Sequence, residues 1–153
     1  MPASNYGDEM VDIRLPLELH AIGQRAVAEA VRRGANTVEA EHVLLVLAAD
    51  GAVPGLTHAR LDAALDAERA RSLAFAGVAD AHPSSTRRES KPGWGASIRD
   101  LLRAAEKPTE RTAAALKRQL VIGILDAHLG TVPRALAIAG FDGGARVAKV
   151  GTS

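Results

Sequence analysis

Two short apolar runs constrain this chain more than any other feature. Val43-Leu44-Leu45-Val46-Leu47 and Leu120-Val121-Ile122-Gly123-Ile124 would each present apolar side chains all round a helix. A helix of that kind must be surrounded by other elements. Neither run approaches the roughly 18 apolar residues in a row that a membrane span needs. Each follows an Ala-rich amphipathic segment and precedes a Gly-containing break, a repeated plan that predicts a pseudo-twofold helical array.

The segments around these runs read as helices. From Leu17 to Arg33, Ile22, Ala26 and Ala30 recur every four residues, flanked by Leu19, Val27 and Val31. Pro16 suits the first turn, and Gly34 ends the helix. A second helix runs from about Glu39 to Ala49, and its apolar character makes it central. Gly51 to Gly55 breaks the chain. Leu61 to Phe75 follows, with Leu61, Ala64 and Leu65 on one face and Asp62, Asp66, Glu68, Arg69 and Arg71 on the other. In the second half, Ala96–Glu106 and Ala113–His128 are helical, and Thr131 is expected to cap a third helix with Pro133 in its first turn. Gly77 to Gly95, rich in Pro, Ser and Gly, reads as a linker between the halves. Gly143 to Ser153 holds little that would force order, and both termini are expected to be flexible. Aromatic residues are only 3% of the 153, so Leu, Val, Ile and Ala must fill the core.

Several functions are disfavoured at this level. The formal net charge is +1 with both signs mixed, whereas a nucleic-acid module needs a concentrated basic face. Arg87-Arg88 and Lys91 lie among Ser and Pro and read as a solvated linker. There is no cysteine, which removes thiol catalysis and suits a cytoplasmic setting. Met1 to Met10 carries Asp8 and Glu9 and no apolar run, so no signal peptide is expected there. His20, His42, His58, His82 and His128 show no metal-binding spacing, so no metal is expected. Neither a nucleophile elbow nor a phosphate-cradling Gly-x-x-x-x-Gly-Lys-Ser/Thr loop occurs. Gly140 to Gly144 follows no strand and is not a dinucleotide loop. The expectation is a non-enzymatic protein without a cofactor. His42 is expected to be buried and hydrogen-bonded at the start of the central helix.

The stretch from Gly34 to Leu47, with a short polar turn and Glu41-His42 leading into a Leu-rich helix, resembles the Clp N-terminal repeat. In the second half, Trp94-Gly95-Ala96-Ser97 resembles the opening of that repeat, and Gly130 to Asp142 its closing helix. Arg118-Gln119 stands where the second Glu-His pair would be, and Pro16 where the first repeat has Thr.

The resemblance implies an all-α fold of two pseudo-symmetric repeats of about four helices each. They would span residues 13–78 and 94–145, the second degenerate, with 79–93 between them. It also implies a binding module of the Clp protease system, acting without ATP hydrolysis of its own as a decoy, adaptor or sequestering protein. Its partners would be peptide or protein substrates, tagged or adaptor proteins, the Clp unfoldase, or cyclic-peptide natural products, without nucleic acid or membrane. Carried over by position, an apolar ligand groove would include Asp12, Leu15, Lys91, Trp94, Arg99 and Leu102. Glu41 would receive a guanidinium in a phosphoarginine pocket. Two plainer readings stand beside these: Glu41 caps or orients its helix, and Trp94 plugs the core between the halves. A helix-turn-helix DNA-binding regulator is the alternative function, and the near-neutral charge counts against it.

Overall fold

Four stretches, residues 17–77, 92–105, 113–127 and 130–141, are described by the computed structural model; side chains at 17–19, 102–105, 113 and 116 fall outside that description. Within them the chain is mostly helical, with six helices over 71% of the residues and 4% strand. In chain order these are α1 (Leu17–Arg32), β1 (Thr37–Val38), α2 (Ala40–Ala49), α3 (His58–Phe75), β2 (Gly93–Trp94), α4 (Ala96–Ala105), α5 (Ala113–Leu125) and α6 (Thr131–Ile138).

α1 folds against the core through Ile22, Ala26 and Ala30, the four-residue spacing that one helix face requires. Ala at two of these positions lets α2 approach closely. Val31, expected in the same stripe, is instead 59% exposed, because the buried face is narrower than the apolar pattern. α2 is the hub: every residue from His42 to Ala48 is buried, and the helix packs against α1, α3, α5 and α6. Fully burying a Leu or Val side chain contributes about 1.5–3 kcal/mol, so Leu44, Leu45, Val46 and Leu47 anchor the whole assembly.

α5 supplies the second apolar run. Leu120, Val121, Ile124 and Leu125 are buried, while Ile122 is only partly so. Gly123 is where α4 crosses: a Cβ there would lie 2.5 Å from Leu101 Cδ2. α6 begins at Gly130, whose φ of 105° favours glycine, and Thr131 is its first residue rather than its cap. The expected capping by Thr131 fails because the chain enters the helix through that left-handed turn.

Residues 52–57 form a turn stapled by buried Val53 and Leu56, and three helices lie in each half among the described residues. Helix α3 starts earlier than its apolar pattern, at His58, because Thr57 caps it by accepting from the Arg60 amide at 3.2 Å.

The halves meet in a two-residue parallel pairing, Thr37 opposite Gly93 and Val38 opposite Trp94. Gly95 N–H extends it by donating to Val38 O at 2.8 Å. Gly93 therefore belongs to this junction, although its composition placed it in the linker. The Glu39 carboxylate accepts from Thr37 Oγ1 and Ser97 Oγ, lying over Gly95 at the start of α4. A carboxylate is favoured there by the helix dipole. Asp50, at the end of α2, takes Arg25 from α1 and Lys117 from α5. Burial alone would raise its carboxyl, but the bonds from Arg25 and Lys117 hold it below its ordinary value.

Candidate functional site

The cleft opens where the first turn of α2 faces α3 and α6. It has a volume of about 400 Å³ and is walled by Arg33 and Asn36 before α2, by Glu41 and His42, by Glu68, Arg69 and Ser72 of α3, and by Thr131 and Arg134 of α6. Every wall carries a charged or polar group, and their pairing decides what the cleft can hold.

His42 closes the first turn of α2. Its Nδ1 accepts from the Glu39 backbone N–H at 2.9 Å, so an imidazole fills the place a Glu or Gln takes in a capping box. The ring is buried. Burial, followed by the nearby Arg33 and Arg32 charges, pushes its pKa down to about 4 against the opposite pull of Glu39 and Glu29. It is a neutral structural group, as its place at the start of the central helix suggested.

Glu41 is the free acid of the cleft. Its carboxyl has no salt-bridge partner among the described residues. Burial raises its pKa first, with further repulsion from Glu39 and Glu68 and some relief from Arg33. Glu39 and His42 cap α2, and Glu41, in the same first turn, also lines the cleft.

Two of the three cations around it are already engaged, while Arg69 on the α3 wall has no ion-pair partner among the described residues. Arg33 pairs with Asp62 and Asp66, and Arg134 Nε donates to Glu68 Oε1 at 2.7 Å. Glu68, expected on the solvated face of its helix, is 6% exposed and also accepts from Ser72 Oγ at 2.7 Å. The spacing from Leu61 and Leu65 to Glu68 is the signal that places it inward; its charge concealed that signal. Behind the cleft, Glu29 joins His58 at 2.8 Å and Arg32, tying α1 to α3. Among the described residues no group of three or more metal-ligating side chains converges.

The apolar groove expected at the junction of the halves is seen only in part. Asp12, Leu15 and Lys91 lie outside the described residues, as do residues 79–91 of the expected 79–93 linker, both termini, His82 and His128. Leu102 is on α4, its side chain outside the description. Trp94 is half-buried, packed against the core, with its ring over Gly23 of α1: a Cβ on Gly23 would lie 3.2 Å from Trp94 Cη2. Arg99 is partly buried on α4, and its amide donates to Gly95 O. Trp94 and Arg99 share the β2–α4 segment, whereas Glu41 opens to the separate cleft between α2, α3 and α6.

No protein-family model, curated protein or solved structure matches this chain. No helix among the described residues is long and apolar enough to cross a membrane.

Proposed function

We propose that this chain is a non-enzymatic binding module of the Clp protease system that takes a cationic peptide group at Glu41. One observation carries the reading. Glu41 is a partly buried carboxylate without a salt-bridge partner among the described residues, in a cleft where Arg33 and Arg134 are engaged by Asp62, Asp66 and Glu68. A guanidinium entering there meets an acceptor that burial has left under-compensated. A charge-assisted hydrogen bond of this kind contributes roughly 1.5–3 kcal/mol. Arg69, on the same wall and without an ion-pair partner among the described residues, suits a phosphoryl group attached to that guanidinium.

The Clp assignment rests on the resemblance of Gly34–Leu47 and Gly130–Asp142 to Clp N-terminal repeats. Two features support it: each half pairs an amphipathic helix with an apolar one, and the β1–β2 pairing joins the halves. In this reading the protein serves in the cytoplasm as a decoy, adaptor or sequestering factor. It receives tagged proteins, adaptors or peptides, and cyclic peptides at the Trp94 junction, with no cofactor. Titration calorimetry with a capped phosphoarginine peptide tests the central claim, with arginine and citrulline versions as comparisons. Glu41→Gln is expected to weaken binding of the phosphoarginine and arginine peptides by about tenfold or more. Equal affinity for the citrulline peptide, or no binding to any of the three, refutes it.

A further inference from the structure

Beyond the Glu68–Arg134 pair lies a second groove of about 600 Å³, lined by Arg71, Phe75, Ala137 and Ile138. Phe75 is 97% exposed, in the last turn of an 18-residue helix whose other large apolar residues face inward or sideways. Glu68 and Arg134 satisfy each other at one end of the groove. Arg71 has no ion-pair partner among the described residues, so the charge this groove offers a ligand is positive. Apolar walls beside an unmatched cation suit a large apolar side chain with a carboxylate next to it.

Spacing narrows the class of ligand. Arg71 and Phe75 are four residues apart on α3 and so lie on one face, with Cβ atoms about 6 Å apart. In an extended segment, side chains two residues apart point the same way at nearly that separation, about 6.6 Å. We propose that this groove docks an extended segment of a partner protein. Its large apolar residue lies against Phe75, Ala137 and Ile138, and an Asp or Glu two positions away meets Arg71. This surface uses neither Glu41 nor a cationic ligand, so it stands or falls apart from the function proposed above.

The probe is a heptapeptide, acetylated and amidated, with the sequence Ser-Gly-Phe-Ser-Glu-Gly-Ser, titrated into ¹⁵N-labelled full-length chain. Amide shifts are expected to gather at Arg71, Phe75, Ala137 and Ile138. Changing the peptide's Phe to Ala or its Glu to Gln, or making Arg71→Glu or Phe75→Ser in the protein, should each weaken binding about tenfold or more. Glu41→Gln should bind the heptapeptide as the wild type does. Both protein variants lie at exposed positions, and an unchanged melting curve confirms that they fold. Shifts centred elsewhere, no shifts at millimolar peptide, or equal binding of the Gln peptide overturn the proposal. So does a dimer in sedimentation that Phe75→Ser dissolves, since the groove would then hold a second copy of this chain.

Discussion

The backbone N–H of Ala40 donates to Ser97 Oγ at 3.1 Å, so the first amide of α2 is satisfied by a side chain 57 residues away. The same hydroxyl donates to the Glu39 carboxylate, which covers Gly95 at the start of α4. The starts of two helices thus share one set of side chains. Glycine at 95 leaves room for that carboxylate: a Cβ there would overlap Glu39 Oε1. Gly95→Ala should expel the carboxylate, break its bonds to Thr37 and Ser97, and cost about 1–2 kcal/mol. Urea denaturation of Gly95→Ala, Glu39→Ala and the double variant checks it. Once Glu39 is gone the Ala should cost far less, and additive losses would reject the mechanism.

His42 predicts an acid-sensitive fold. Its native pKa of about 4 lies below the unfolded value of 6.5, so below pH 6.5 the unfolded chain takes up a proton that the folded chain refuses. Stability is therefore fully present above pH 6.5 and lost as the pH falls towards 4. The loss amounts to about 3 kcal/mol over the whole window. Glu41 works the other way: its raised pKa means that protonation relieves the folded state as the pH drops through the carboxylate range. Chemical denaturation at pH 7, 5.5 and 4.5 should show a steeper decline for wild type than for His42→Asn. Parallel slopes would mean that another group titrates.

Arg134 and Glu68 form an unequal pair, the arginine side chain 57% exposed and the glutamate side chain 7%. Removing the arginine strands a buried carboxylate that keeps only Ser72. Arg134→Met should cost about 1–3 kcal/mol. Glu68→Leu should cost less, since an apolar residue suits the same site. Equilibrium unfolding of the two single variants and the double decides the order, and a larger loss for Glu68→Leu would contradict it.

Trp94 is the chain's one tryptophan and reports on its contact with Gly23. Gly23→Ala improves helix propensity by about 1 kcal/mol while pressing a methyl onto the indole edge. Its melting temperature should stay near wild type while the tryptophan emission shifts. Gly23→Leu overfills the gap and should cost about 1–3 kcal/mol. An emission spectrum unchanged in both variants would place the ring elsewhere.

The helices themselves were legible in the sequence because helix formation is local: Ile22, Ala26 and Ala30 declare one face, and Val43–Leu47 must be enclosed wherever it sits. The all-helical class and the central place of α2 follow from that periodicity. His42 was readable as a buried structural group for the same reason. Pairings between groups distant in the chain depend on the paths of α1, α3 and α6, to which no local pattern refers. Glu68 looked like a solvated charge until Arg134, 66 residues later, was brought beside it. The junction of Val38 with Trp94 and of Ala40 with Ser97 was equally invisible, since two residues of strand have no period to detect. Val31 and Phe75 mark the opposite limit: hydrophobic character is a property of the residue, but burial is a property of what packs over it. Sequence alone therefore determined which segments are helices and which run lies innermost. Tertiary structure alone decided which charges neutralise one another, leaving Glu41 without a salt-bridge partner among the described residues, because that balance is set by distances between helices.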